Sequence, residues 1–148
     1  MTTTEELITE VLQGLHVQVK RERRIFLTVP RNDLIKTMNI LSNELNTQHL
    51  STITARDLGN DIEILYHFLL NGVVFTIRTT CPKNDPTVES IVHIFPSAIL
   101  YEREIHDILG VVPRGHPDLR RLVLPDDWVG GYPLRKDWKQ PQEQESEE

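Results

Sequence analysis

Eight ionisable side chains crowd one stretch of this 148-residue chain: Glu102, Arg103, Glu104, His106, Asp107, Arg114, His116 and Asp118. On a helix, Glu102 and His106 stand four residues apart, as do Arg103 and Asp107, while Glu104 and Asp107 are three apart, so each pair shares a face. As an enzyme, the set would use Glu104 and Asp107 as an acid/base couple, with His116 delivered by the following loop. As a metal site it would use His106, Asp107, His116 and Asp118. Neither arrangement matches a specific motif such as HExxH. Perturbed carboxylate–arginine networks are often structural, locking a helix to the segment that follows. The bracing role therefore leads, and a free-standing hydrolase or lyase using Glu104, Asp107 and His116 is the alternative.

A second cluster follows in Asp126-Asp127-Trp128 and Leu134-Arg135-Lys136-Asp137-Trp138. Arginine and tryptophan are the side chains that anchor protein interfaces, and arginine pairs with carboxylates through a two-pronged fork that fixes geometry. Tryptophan, tyrosine and leucine interleaved with the charges make a merely solvated run a poor description.

Elements on either side must position these clusters. Thr4, followed by Glu5 and Glu6, has the form of a capped helix start, with Leu7, Val11 and Leu15 as its apolar stripe. Ile25 to Val29 is a short β-rich run stopped by Pro30. Asp33 to Leu45 forms a second helix on the stripe Leu34, Met38, Leu41 and Leu45. Three strands come next, turning at Gly59-Asn60 and, more tightly, at Asn71-Gly72. Cys81 to Pro86 has the composition of a loop. A last helix begins near Pro96 and Ser97, buries Ala98, Tyr101, Ile105 and Ile108, and ends at Gly110. The pattern is that of a single α+β domain over residues 1–110, helices packed on a mostly antiparallel sheet. From Val111 to Trp138, Pro113, Pro117, Pro125 and Pro133 forbid a lasting helix, yet the stretch is rich in leucine and aromatics. Residues 111–138 are expected to lie extended on a surface, either a partner's or this domain's own.

Composition narrows the chemistry. The last nine residues carry four glutamates and no base, and without them 18 acidic residues face 16 basic ones. A near-neutral body lacks the basic stripe of a nucleic-acid binder, and the tail over 139–148 has the composition of a disordered segment. The single cysteine, Cys81, allows neither an intrachain disulfide nor the usual four-thiolate iron–sulfur site, and is expected to be a buried, inert thiol. Neither a dinucleotide fingerprint nor a P-loop is present. No apolar run is long enough to span a bilayer, so a membrane would be reached only through partner subunits.

The motif Glu102 to Gly110 (EREIHDILG), then Gly115 to Leu122 (GHPDLRRL), Leu124 to Trp128 (LPDDW) and Tyr132 to Asp137 (YPLRKD), resembles the signature of the 30-kilodalton subunit family of respiratory complex I. The likeness is close over the last third of the chain and looser upstream, where Pro96, Ser97 and Ala98 precede the helix. It implies a cofactor-free structural subunit of an electron-transfer complex, peripheral on the cytoplasmic side of the cell membrane. Its C-terminal segment would run along the hydrogenase-like large subunit, with the iron–sulfur small subunit nearby. By the same resemblance, Glu102, Arg103, Glu104 and Asp107 brace the helix. Gly115, His116, Pro117, Asp118, Leu119, Arg120 and Arg121 dock on the partner, together with Asp126, Asp127, Trp128, Tyr132, Pro133, Leu134, Arg135, Lys136 and Asp137. Two departures, Leu109 and Pro113 where respiratory subunits usually carry aromatics, look more like the equivalent subunit of an energy-converting membrane hydrogenase or a related archaeal dehydrogenase.

Overall fold

Asn71 and Gly72 both adopt positive φ, 49° and 80°, the backbone of a two-residue turn whose twist matches the strands it joins. A computed structural model describes residues 3–12, 18–21 and 24–140. The turn joins β4 (Asp61–Leu70) to β5 (Val73–Pro82) in unbroken antiparallel register from Leu70↔Val73 to Asp61↔Pro82. On one side β3 (Leu50–Asp57) pairs antiparallel with β4. On the other, β2 (Arg24–Thr28) runs parallel to β5, and β1 (Gln18–Arg21) returns antiparallel to β2. The five-stranded sheet has the order β1-β2-β5-β4-β3. The mostly antiparallel α+β fold expected from the sequence is present, with one parallel pair in addition. The two partners of that pair are far apart in sequence, which no local turn signal could announce.

Strand alternation divides the sheet into two faces. Ile62, Ile64, Tyr66 and Phe68 of β4 and Phe75 and Ile77 of β5 are fully buried. They share one core with residues of three helices, α1 (Thr4–Val11), α2 (Leu34–Asn43) and α3 (Ala98–Leu109). Phe68 is the hub, stacked on Phe75 at 5.2 Å and tilted against Phe95 at 5.1 Å between ring centroids. The opposite face is polar and partly open. There His67 bridges Thr54 (3.0 Å) and Thr76 (2.9 Å), and Arg78 lies over the Phe26 ring.

Several boundaries differ from the sequence expectation. The cap of α1 is Thr3, whose hydroxyl accepts from the Glu6 amide while Glu6 accepts from the Thr3 amide. With the start moved by one residue, Ile8 and Leu12 face the core and Leu7 is exposed; Leu15 lies outside the described residues. Helix α2 ends at Asn43, two residues short of the expected Leu45, but Leu34, Met38, Leu41 and Leu45 are all buried as expected. The stretch at Cys81 belongs to β5 rather than to a loop, and its thiol is buried. Burial pushes that thiol up to about 11. Beyond Gly110, Val111 is buried and β7 (Val112–Arg114) pairs parallel with β6 (Thr87–Glu89). Helix α3 is the crossover between those two parallel strands. Residues 111–114 are thus part of the domain, and the extended segment starts after Arg114. Of the acidic tail, residues 141–148 lie outside the described residues.

Phe68→Ala should therefore cost about 3–5 kcal/mol, whereas Val74→Ala on the open face should cost no more than about 0.5 kcal/mol. Urea denaturation midpoints of the two variants check the assignment of faces.

Candidate partner-docking site

Helix α3 forms because its apolar residues recur at helical spacing and Gly110, at φ 76°, ends it in the left-handed conformation. Its polar residues then point to three different places. Glu102 turns into the domain, where Oε2 accepts from the Ser90 hydroxyl at 2.7 Å and Oε1 from the Ile91 amide at 2.8 Å. Burial raises its carboxyl above the usual range, against the lowering effect of those two donors and of His116 and His93. Glu104 is exposed and makes no hydrogen bond or ion pair among the described residues, so the bracing role expected of it is not carried.

Arg103 and Asp107, one helical turn apart, reach the segment that follows. The Arg103 fork donates to two successive carbonyls, from Nε to Arg120 O and from Nη2 to Arg121 O, each at 2.9 Å. Asp107 Oδ2 accepts the next three amides, those of Leu122 and Val123 at 2.8 Å and of Leu124 at 3.2 Å. Burial alone would raise the Asp107 carboxyl, but the three amides and the Arg121 charge outweigh it and hold the group below the usual carboxylate range. Arg103 and Asp107 thus bind the backbone of the segment rather than pair with one another.

The rest of the segment is fixed in the same way. His116 donates from Nε2 to Ile99 O at 2.9 Å and accepts the Asp118 amide at Nδ1 at 3.0 Å, which assigns its tautomer. Asp118 holds Arg120 through short contacts down to 2.7 Å. Past the turn, the Leu134 amide and Arg135 Nε donate to Ile108 O and Leu109 O, at 3.1 Å and 2.7 Å. The last carbonyls of α3 lack partners within the helix, and these donors supply them. Arg135 also lies 4.6 Å over the Tyr132 ring, in the geometry of a cation–π contact. A Cβ on Gly110 would stand 2.6 Å from that ring and 2.7 Å from Arg135, so only glycine permits the approach.

Asp57, at the end of β3, is a site residue that the motifs did not reveal. Its Oδ1 accepts the Gly59 amide at 2.8 Å, and its Oδ2 accepts Lys83 Nζ at 2.6 Å and the Lys136 amide at 2.9 Å. Lys83 continues to Asp137 at 3.1 Å. The hydrogen bond from Lys83, then those from Gly59 and Lys136, hold the Asp57 carboxyl far below its usual range. The only signal in the sequence is an aspartate two residues before a turn glycine, which by itself indicates a local turn.

The structure engages the acid/base candidates elsewhere or leaves them apart. Asp107 has its Oδ2 filled by three amides, both His116 nitrogens are engaged, and Glu104 is exposed. The metal alternative fares no better: His106 bonds Val111 O, Asp118 holds Arg120, and no group of three or more metal-ligating side chains converges among the described residues.

The family model described as "Respiratory-chain NADH dehydrogenase, 30 Kd subunit" matches residues 27–144. The chain belongs to this family. The C-type subunit of the Moorella thermoacetica NADH-quinone oxidoreductase is 37% identical over 134 residues, covering 88% of this chain and 85% of that protein. The C-type subunit of the Methanosarcina mazei F(420)H(2) dehydrogenase is 32% identical over 120 residues, covering 78% and 76%. Among solved structures, a chain of the archaeal membrane-bound sulfane sulfur reductase, a respiratory membrane complex, superposes with a TM-score of 0.80 at 29% identity, covering 91% of this chain and 85% of that one. A trypsin-resistant fragment of Nqo5 shares the fold, with a TM-score of 0.67 at 23% identity over 78% of this chain and 98% of the fragment. The 30-kilodalton family anticipated from the four motifs is the one found, and this family supplies subunits of membrane-associated electron-transfer complexes.

Asp107→Ala should speed amide exchange at Leu122, Val123 and Leu124 by about tenfold or more, the effect of leaving partly buried donors unpaired, while Glu104→Ala should leave it unchanged. Because the folded pKa values of Asp57 and Asp107 are depressed, their hold on the segment is complete above the ordinary carboxylate range and is lost as pH falls through the folded values. Amide exchange followed from neutral to acid pH checks the sign.

Proposed function

We propose that this chain is the cofactor-free docking subunit of a membrane-associated electron-transfer complex, with its segment 115–138 seated on the complex's hydrogenase-like large subunit and the iron–sulfur small subunit nearby. One observation carries the proposal. The irregular backbone of the segment is held by its own domain, while Leu122, Val123, Val129 and Leu134 are turned outward. Large apolar groups gathered in one segment mark an interaction surface. Family membership supplies the setting, since the relatives are named as subunits of NADH-quinone oxidoreductase and F(420)H(2) dehydrogenase.

The chain's own residues support a scaffold over a redox role. The lone thiol is buried and pushed up in pKa, which makes it a poor metal ligand. Attachment to the membrane would run through partners on the cytoplasmic side, as no helix among the described residues is long and apolar enough to cross a bilayer. Leu109, which is buried against the core, and Pro113 fit the hydrogenase or archaeal dehydrogenase branch by their resemblance.

A mild-detergent pull-down of the tagged chain from its native membranes, with partners identified by mass spectrometry, tests this function. The expected result is a hydrogenase-like large subunit, an iron–sulfur small subunit and ion-translocating membrane subunits. A flavoprotein among them would mark a dehydrogenase, and its absence a hydrogenase. Recovery of the chain alone, or with soluble proteins only, would overturn the proposal.

A further inference from the structure

Several charged motif residues of segment 115–138 are spent on this chain itself, while Asp126 and Asp127 stay exposed. Arg121 Nη2 donates to the Trp128 carbonyl at 3.0 Å, Arg120 closes on Asp118, Arg135 caps α3, and the Lys136 amide and Asp137 complete the cluster around Asp57 and Lys83. Also left outward are aliphatic side chains within and between those motifs. Val129 is 96% exposed, Leu134 58%, Val123 56% and Leu122 42%.

Val129 stands on a loop that is built, not loose. Trp128 donates from its indole to Gly131 O at 2.8 Å, Trp138 from its own to Gly130 O at 2.7 Å, and the Trp128 amide closes a turn on Pro125 O at 3.0 Å. A Cβ on Gly130 would meet the Trp128 ring at 2.6 Å, so the glycine lets the indole fold over the loop. Two indoles fixing a short loop whose tip is a bare valine give a preformed knob, and binding such a knob loses little conformational entropy. Beside it, Asp127 is exposed and has no ion-pair partner among the described residues.

Building on the docking function proposed above, we infer that recognition is carried by these aliphatic side chains, with Val129 as the central knob. The matching surface is a partner subunit's aliphatic pocket rimmed by arginine or lysine. Charge selects this occupant over others. A second copy of the chain would bring like carboxylates together at Asp126 and Asp127, and an anionic lipid surface would be repelled by the same pair. The charged motifs then act as positioning residues, setting the aliphatic groups in place from behind.

The test is the same native pull-down, with partner recovery quantified for variants. Val129→Asp and Leu134→Asp should each lower recovery of the partner by about tenfold or more, as the loss of a hot spot does. Val129→Leu should retain it, and Leu69→Asp, on the open sheet face, should match the wild type. Asp127→Lys should weaken recovery, and most at low salt, where charge repulsion is least screened. Thermal melts confirm that each variant is folded; the exposure of Val129 predicts an unchanged midpoint for Val129→Asp. Wild-type recovery with Val129→Asp and Leu134→Asp equally competent would overturn this inference alone. A wild-type chain recovered without partners would overturn the docking function and this inference with it.

Discussion

A chain without regular secondary structure must still satisfy its amides and carbonyls, and in residues 115–138 that requirement falls on a few side chains of the domain beneath. Arg103 and Asp107 meet most of it near the start of the segment. An arginine offers only donors and an aspartate only acceptors. Set one helical turn apart, they match the order in which the segment presents them with carbonyls at 120–121 and amides at 122–124. Exchanging the two residues would set donors against amides and a carboxylate against carbonyls. The direction in which the segment leaves β7 is tied to that order.

The other fixings follow from where α3 ends. Four carbonyls at its C-terminus need donors, and Leu134 and Arg135 bring two. They can do so only because Gly110 leaves room for Tyr132 and Arg135 to lie against the helix end. At the far end of the sheet, Asp57 gathers Gly59, Lys83 and Lys136. The segment is therefore held by α3 from His116 to Leu124, by the end of that helix at Leu134 and Arg135, and by the β3–β4 turn at Lys136. The core in which Phe68, Phe75 and Phe95 pack together joins these three supports in one domain.

Polar economy also shapes what a partner would meet. With Arg103, Arg121, Arg135, Asp57 and Asp107 consumed in fixing backbone, the outward surface of the segment is shared by aliphatic side chains and the exposed Asp126 and Asp127. Glu102 illustrates the reverse direction: from the same helix it turns inward and ties α3 to the chain before it. One twelve-residue helix thus joins the hydrophobic core on one face, the preceding strand connection on a second and the C-terminal segment on a third.

Much of this was determined by the sequence alone. The α+β class, the Asn71-Gly72 hairpin, the stripe of α2, the stop at Gly110 and the family followed from local periodicity, turn chemistry and the four linked motifs. Each of those signals acts over a few residues, so it survives without knowledge of the fold. Tertiary structure decided the rest. The parallel pairing of β2 with β5 and of β6 with β7 joins residues far apart in the chain, and the one-residue shift that buries Ile8 in place of Leu7 depends on which capping hydroxyl the amides find. The roles within the motifs were likewise undecided until the segment was seen lying on its own domain. Periodicity placed Glu102, Arg103, Glu104 and Asp107 on one helix, but a helix points successive side chains about 100° apart, and only the neighbours on each side determine which one binds the core, which two hold backbone and which one stays in solvent.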